Sequence, residues 1–263
     1  MKFFVITTSL IVLVVVIWIL GAWPVSDESS ERPDMNLITL SERFLYTVKT
    51  GDATDSLEQA LSNYSLNELE SGLTNDTARK LFWVNLYNAW YQILAGRESK
   101  TQPGIFTEKA IYFAGFKLSL DDIEHGILRR YRWKYSLGYL PQFLLSSKIK
   151  RLAVREIDYR IHFALNCGAK SCPPIAFYSY DELDEQLDKA ARSFLSSETE
   201  VDAAKKEVHV TRIMYWFKGD FGGNNGIRKI LSAYLGQDFT DYSIQFKDYD
   251  WSPDLNRFAE HDE

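Results

Sequence analysis

Hydrophobic and polar positions divide the chain into an uncharged N-terminal run and a long body of mixed periodicity. Residues 3–20 (FFVITTSLIVLVVVIWIL) carry no charge. With Ala22 and Trp23, the run is long enough at about 1.5 Å per residue to span a hydrocarbon layer of roughly 30 Å. It predicts one N-terminal transmembrane helix. Over residues 1–24 an uncleaved signal anchor is preferred to a cleaved signal peptide, because the apolar run is long and lacks a clean A-x-A. No cysteine directly follows, which excludes a lipoprotein anchor. Residues 25–35 are polar and lie among prolines, the pattern of a short tether. Lys2 precedes the run while Asp27, Glu28 and Glu31 follow it, so the body, residues 36–263, is expected on the periplasmic or extracellular side.

Within the body, residues 36–49 repeat apolar side chains at helical spacing, and Ser65 with Glu68 has the spacing of a capping box. A helix capped near Asn75 or Asp76 then reads LFWVNLYNAWYQIL over residues 81–94, apolar on nearly every side, as a central helix must be. Asn85, Asn88 and Gln92 draw a polar stripe down it and require partners, since an unpaired buried amide costs about 1–3 kcal/mol. Residues 110–118 predict a hairpin turning at Ala114-Gly115, followed by a helix capped by Ser119. At 100° per residue that helix gathers Leu120, Ile123, Ile127, Leu128 and Tyr131 on one face with Glu124 among them, and turns His125 and Arg129 away. A carboxylate in an apolar stripe must be paired, be protonated or line a pocket; Arg160 and the Asn85/Asn88 stripe are the expected partners.

The stretch RIHFALNCGAKSCPPI, residues 160–175, predicts a strand with Ile161, Phe163 and Leu165 on one side and Arg160, His162 and Ala164 on the other. Further on, the pattern gives a helix entered through Ser179 and Glu182, a strand at 208–210, a helix over 227–235 stopped by Gly236, and a strand at 243–246. Strands and helices do not alternate regularly. The expectation is a single α+β domain, mostly helical with a small mixed or antiparallel sheet.

Composition narrows function by exclusion. Thirty basic against 36 acidic residues give a net charge of −6, no electrostatic footprint for nucleic acid. Without Lys2 the exported part is more acidic still, and is not expected to cling to anionic headgroups. Four histidines without H-x-x-x-H, and no C-x-x-C, give no zinc pattern; FGGNNG over 221–226 lacks the Lys-Ser/Thr of a phosphate loop. No metal or cofactor is implied.

The two cysteines, Cys167 and Cys172, enclose four residues. Their even number and the outward placement favour a disulfide that staples the loop. The alternative makes one of them, more readily Cys172, a nucleophile activated by His162. Cys167 suits that role poorly, because an extended chain carries Asn166 roughly 13 Å beyond His162. Oxidation state decides between the two.

Three blocks, FWVNLYNA (82–89), SLDDIEHGILR (119–129) and RIHFALNCGAKSCP (160–173), together resemble the bacterial branch of the domain of unknown function 547 family. Asp220-Phe221 and the closing DYDWSPDLN (248–256) add to the likeness, which covers roughly residues 37–256, although WSPDLN departs from a pattern closer to WSLN. The resemblance implies no activity. In plants the same domain is joined to coiled-coil segments, which implies a module usable in different settings.

Two functions fit the residues. One is a membrane-anchored domain binding an unknown small molecule or peptide in a polar pocket built from Asn85, Asn88, Gln92, Glu124, Arg160 and His162. The other is a cysteine- or histidine-dependent hydrolase or transferase using Cys172, His162 and Glu124 or Asn85.

Overall fold

Asp34 opens the first helix by accepting the Asn36 amide hydrogen, and Gly51, in the left-handed conformation, closes it. The computed structural model describes residues 32–259, so the proposed transmembrane run and most of the tether lie outside the described residues. Among the described residues no helix is long and apolar enough to cross a membrane.

The helices are α1 (Met35–Thr50), α2 (Asp55–Asn63), α3 (Leu66–Gly72), α4 (Asp76–Gln92), the single turn α5 (Gly104–Thr107), α6 (Ser147–Leu152), α7 (Leu183–Glu198), the short α8 (Ile213–Trp216) and α9 (Gly223–Leu235). Capping decides several boundaries as the sequence predicts. Ser65 and Glu68 close a capping box on α3, Asn75 accepts from Ala78 N at the start of α4, and Gly236 ends α9. The strands β1 (Ile111–Phe113) and β2 (Phe116–Leu118) form the predicted hairpin about Ala114 and Gly115, both at positive φ. The strands β3 (Glu200–Asp202), β4 (Glu207–Val210) and β5 (Ser243–Phe246) make a mixed sheet, antiparallel between β3 and β4 and parallel between β4 and β5. The chain is thus a single α+β domain with small sheets, about half helical and so less helical than its periodicity suggests.

Two apolar clusters fill the body. The larger surrounds α4, whose residues from Leu81 to Gln92 are all buried, with Trp83 and Tyr87 among the largest enclosed side chains. The smaller joins α7, α9 and β4 around Phe163, Phe194, Leu231 and Phe239.

The segment predicted as a strand runs between these clusters, and it is a 3₁₀ helix, Tyr159–Phe163. The Asp158 carboxylate accepts from the Arg160 amide and is gripped by the Arg160 guanidinium at 2.8 Å, and Ala164 N donates to Ile161 O at 2.9 Å. This local closure competes successfully with extension. A three-residue turn also explains the alternation that mimics a strand: Ile161 enters the larger cluster, Phe163 the smaller, and His162 is buried between them.

A second correction concerns the helix after β2. Ser119 and Asp122 cap it reciprocally, but residues Asp122–Leu128 form a π-helix, with Arg129 N donating to Glu124 O at 2.8 Å. Each π turn takes in an extra residue, so the helical phase used on the sequence fails. His125 and Arg129 consequently face inward beside Glu124, and Arg129 is completely buried.

Candidate functional site

Five segments meet at one cleft of about 180 Å³: α4 contributes Tyr87, the π-helix Glu124 and His125 with Asp121 just before it, the 3₁₀ helix His162, the cysteine loop Cys167 and Cys172, and α8 Trp216. Phe106, Phe217, Tyr249 and Trp251 complete an aromatic wall. Tyr249 packs on Trp216 at 4.8 Å and on Trp251 at 4.5 Å between ring centroids.

Below this wall lies a polar chain. The Arg129 guanidinium donates through Nε to Asp220 Oδ2 at 2.6 Å and through Nη1 to His125 Nδ1 at 2.7 Å, and it lies 4.4 Å from the centre of the Phe217 ring. Since arginine stays protonated, His125 Nδ1 must accept, which leaves the His125 proton on Nε2. His162 Nε2 reaches the same Asp220 oxygen at 3.0 Å, and its ring stacks on Phe217 at 4.0 Å. Burial favours the neutral form of both histidines, most strongly for His125, where the Arg129 charge adds to the effect. Burial would raise the Asp220 carboxyl, but His162 and Arg129 overcome it and hold it below the usual carboxylate range. Gly138, at φ +85°, presses its backbone onto this pair: a Cβ there would sit 2.4 Å from Asp220 Oδ1.

Glu124 is the cleft carboxyl that is shifted into the neutral range. Burial raises its carboxyl to about 7, against the opposing pull of Arg129 and of the Tyr87 hydroxyl, which donates to Oε2 at 3.1 Å. Between about 4.5 and about 7 the folded chain therefore holds a proton that the unfolded chain has released. The Glu124 contribution to stability should fall as pH rises through that window and be level on either side. Urea unfolding at a series of pH values checks this, with a decline from pH 5 to pH 7.5 that Glu124→Gln flattens.

The loop carrying the cysteines is closed by the Cys167–Cys172 disulfide, with Cα atoms 6.0 Å apart. In that state neither sulfur is a nucleophile. The Tyr249 hydroxyl lies 3.1 and 3.0 Å from the two sulfurs, and Cys167 N donates to Cys172 Sγ. The closing segment runs alongside, with Lys170 N donating to Ser252 O and Asp254 N to Gly168 O. Gly168, at φ +67°, lets both α4 and the closing segment approach, because a Cβ there would meet Tyr91 at 2.4 Å and Leu255 at 2.9 Å. In the chain-entropy account a staple of this size contributes roughly 2 kcal/mol. Replacing both cysteines by serine should lower stability by about that amount in urea unfolding.

The remaining residues singled out from the sequence lie elsewhere. Asn88 donates to Ala164 O and accepts from Asn166 N, and Asn166 in turn holds Pro173 O and Gly168 N, so this amide shapes the cysteine loop from behind. Asn85 bonds Ser41 on α1, and Gln92 accepts from Asn256 N. Arg160 pairs with Asp158 and Asp184 and lines a separate open cleft of about 590 Å³, where Lys80 also pairs with Asp158. Glu124 and His162 therefore share a cavity, whereas Asn85, Asn88, Gln92 and Arg160 do not line it. Glu124 has Tyr87 as its partner in place of the amides or Arg160. Among the described residues no cluster of His, Cys, Asp and Glu suits a metal ion.

Sequence reasoning missed Tyr87, Arg129, Asp220, Trp216, Tyr249 and Trp251. The last two stand in the closing DYDW block and Asp220 in the Asp-Phe pair, both noted only as marks of likeness.

A largely enclosed acidic group under an aromatic wall, with a disulfide loop at its side, defines this as an α+β domain with a small amphipathic cleft. Residues 63–195, just over half of the chain, match the family described as Protein of unknown function, DUF547, and the chain belongs to that family. No curated protein and no solved structure matches the chain.

Proposed function

We propose that this is a membrane-anchored, extracytoplasmic domain that binds one side chain of a peptide, or a small molecule of similar size, in the Glu124 cleft. The observation that carries this reading is the placement of the Glu124 carboxyl, bonded by the Tyr87 hydroxyl at the base of an aromatic pocket whose enclosure raises it to about 7. At about 180 Å³ the cleft is smaller than the roughly 300–1,000 Å³ typical of sites that enclose a whole drug-sized ligand, which suits one end of a longer molecule. The ligand's apolar part packs on Trp216, Tyr249 and Trp251, and its polar end meets Glu124, which donates a hydrogen bond when protonated and accepts one when ionised. The outward placement is supported by the charge asymmetry about residues 3–20 and by the disulfide, a bond that persists in oxidising compartments.

Titrating the chain with Ala-X-Ala tripeptides and following tryptophan emission tests the binding. Saturable binding of a subset of X is expected, changing with pH through about 7, insensitive to pH in Glu124→Gln and lost in Trp251→Ala. Emission changes shared unaltered by both variants would contradict it. Fusion of the N-terminal segment to a reporter active only outside the cytoplasm tests the placement; a cytoplasmic signal would overturn it.

A catalytic reading has one observation in its favour: His162 oriented by Asp220 in the same cleft as a carboxyl poised near neutrality. A thiol mechanism through Cys172 would require prior reduction of the disulfide, so turnover appearing only with reductant would favour it.

A further inference from the structure

The residues that follow the π-helix carry a long run without acidic side chains. Residues 129–155 contain eight Arg and Lys and no Asp or Glu, in a protein of net charge −6. Several of these cations are committed to partners elsewhere, among them Arg129 to Asp220, Lys134 to Asp121, Arg151 to Glu70 and Arg155 to Thr74 O. Lys148 and Lys150 are exposed on α6 and have no acidic partner among the described residues, lying instead over the Phe116 and Tyr131 rings.

The same stretch exposes large apolar side chains at close spacing. Leu144 is 98% exposed and Tyr135 73%, and Trp133, Tyr139 and Leu140 are each exposed by more than two fifths. Isolated exposed apolar groups are ordinary, whereas a contiguous set marks an interaction surface. The backbone holds these groups outward: Trp133 N donates to Leu140 O at 2.9 Å, Gln142 N donates to Tyr131 O, and the Ser136 hydroxyl donates to Trp133 O. The loop is also fastened to the body beside the cleft, through Lys134 to Asp121 and through Gly219 N donating to Leu137 O.

We propose that residues 133–150 are a second membrane contact, seating Trp133, Tyr135, Tyr139, Leu140 and Leu144 in the interfacial layer of an anionic bilayer while Lys148 and Lys150 meet its headgroups. Tryptophan, tyrosine and leucine with flanking lysines is the composition of interfacial membrane segments. Charge complementarity selects an anionic lipid surface, because this local cationic patch stands out from an otherwise acidic body. The choice of membrane over a protein partner rests on the anchored reading above. Residues 3–20 end only fifteen residues before α1 begins, which at about 3.3–3.6 Å per residue keeps the body within roughly 50 Å of the bilayer. The overall acidity that argues against headgroup binding is an average over the chain, and the contact depends on the local patch.

The native cysteines are paired, so an introduced L144C supplies one reactive thiol in the full-length chain. That thiol carries a polarity-sensitive nitrobenzoxadiazole label, and the chain is reconstituted into phosphatidylcholine vesicles with or without 30% phosphatidylglycerol. With phosphatidylglycerol, the label should shift to the blue and be quenched several-fold by lipids spin-labelled near the headgroup. Adding K148E and K150E should reduce that quenching at least threefold. An A204C label, on the exposed turn between β3 and β4, should stay unquenched. Flotation of the chain with the vesicles reads the anchor separately. A floating chain with an unquenched L144C label overturns the loop proposal, leaves the anchor standing and returns the patch to a protein partner. A chain that does not float overturns both. Equal quenching in the two lipid mixtures overturns the assignment to anionic lipid.

Discussion

Replacing Asp220 with alanine should lower the stability of the domain by about 3–5 kcal/mol in equilibrium urea unfolding, the cost expected when one partner of a buried ion pair is removed. Both side chains of the Arg129–Asp220 pair are wholly enclosed, and Asp220 Oδ2 also receives His162. Without the carboxylate, the Arg129 charge would be left in the interior with a neutral histidine nitrogen and the Phe217 face. The penalty arises from the stranded charge and not from a large net gain when the pair forms. The double variant Arg129→Met with Asp220→Leu should therefore recover a substantial part of the loss. A loss below about 1 kcal/mol in Asp220→Ala would mean that the pair is reached by water and that the floor of the cleft is looser than described.

Asn88→Ala should be nearly as costly, at about 2–5 kcal/mol. Its side chain serves two buried main-chain groups at once, Ala164 O and Asn166 N, and each loses its partner in the variant. An unsatisfied buried polar group costs about 1–3 kcal/mol. The effect should not stop at stability, since Asn166 holds the cysteine loop through Pro173 O and Gly168 N. Faster amide hydrogen exchange at residues 166–172, with exchange on α9 little changed below the global unfolding limit, would show the local consequence. Uniform loss of protection across the domain would mean that Asn88 acts only on global stability.

Asn88 also shows how far the sequence carries. A buried polar stripe on α4 is legible from spacing, and so is the demand that each amide find a partner. The partners themselves are not, because Ser41, Ala164 and Asn256 come from three distant segments brought together only by packing. Helices read well where an uninterrupted period of 3.6 governs, as in α1, α4 and α7. The cap of α4 reads well too, whereas α7 begins after Glu182 without the side-chain cap expected from Ser179. Helices read badly where the backbone departs from that period. One extra residue per turn between Asp122 and Leu128 moved His125 from the expected outer face to the wall of the cleft and Arg129 into the interior beneath it. At Tyr159–Phe163, alternation of apolar and polar residues suited a strand and a 3₁₀ turn equally, and the Asp158 cap decided between them. Glu124 was recognisable as a carboxylate in an apolar setting. Its partner Tyr87 was hidden by counting only as an aromatic core residue. Asp220 lies 58 residues beyond His162, and no local periodicity could join the two.

The burial of Glu124 under an aromatic wall gives the cleft its chemistry, and the ionisation of that one carboxyl measures it most directly. In the chain carrying ¹³C at glutamate Cδ, the Glu124 resonance, assigned by its loss in Glu124→Gln, is followed by NMR from pH 4 to pH 9. A midpoint at about 7 is the predicted result. A midpoint near the ordinary value of 4.5 would show a hydrated carboxylate and contradict the account of the cleft.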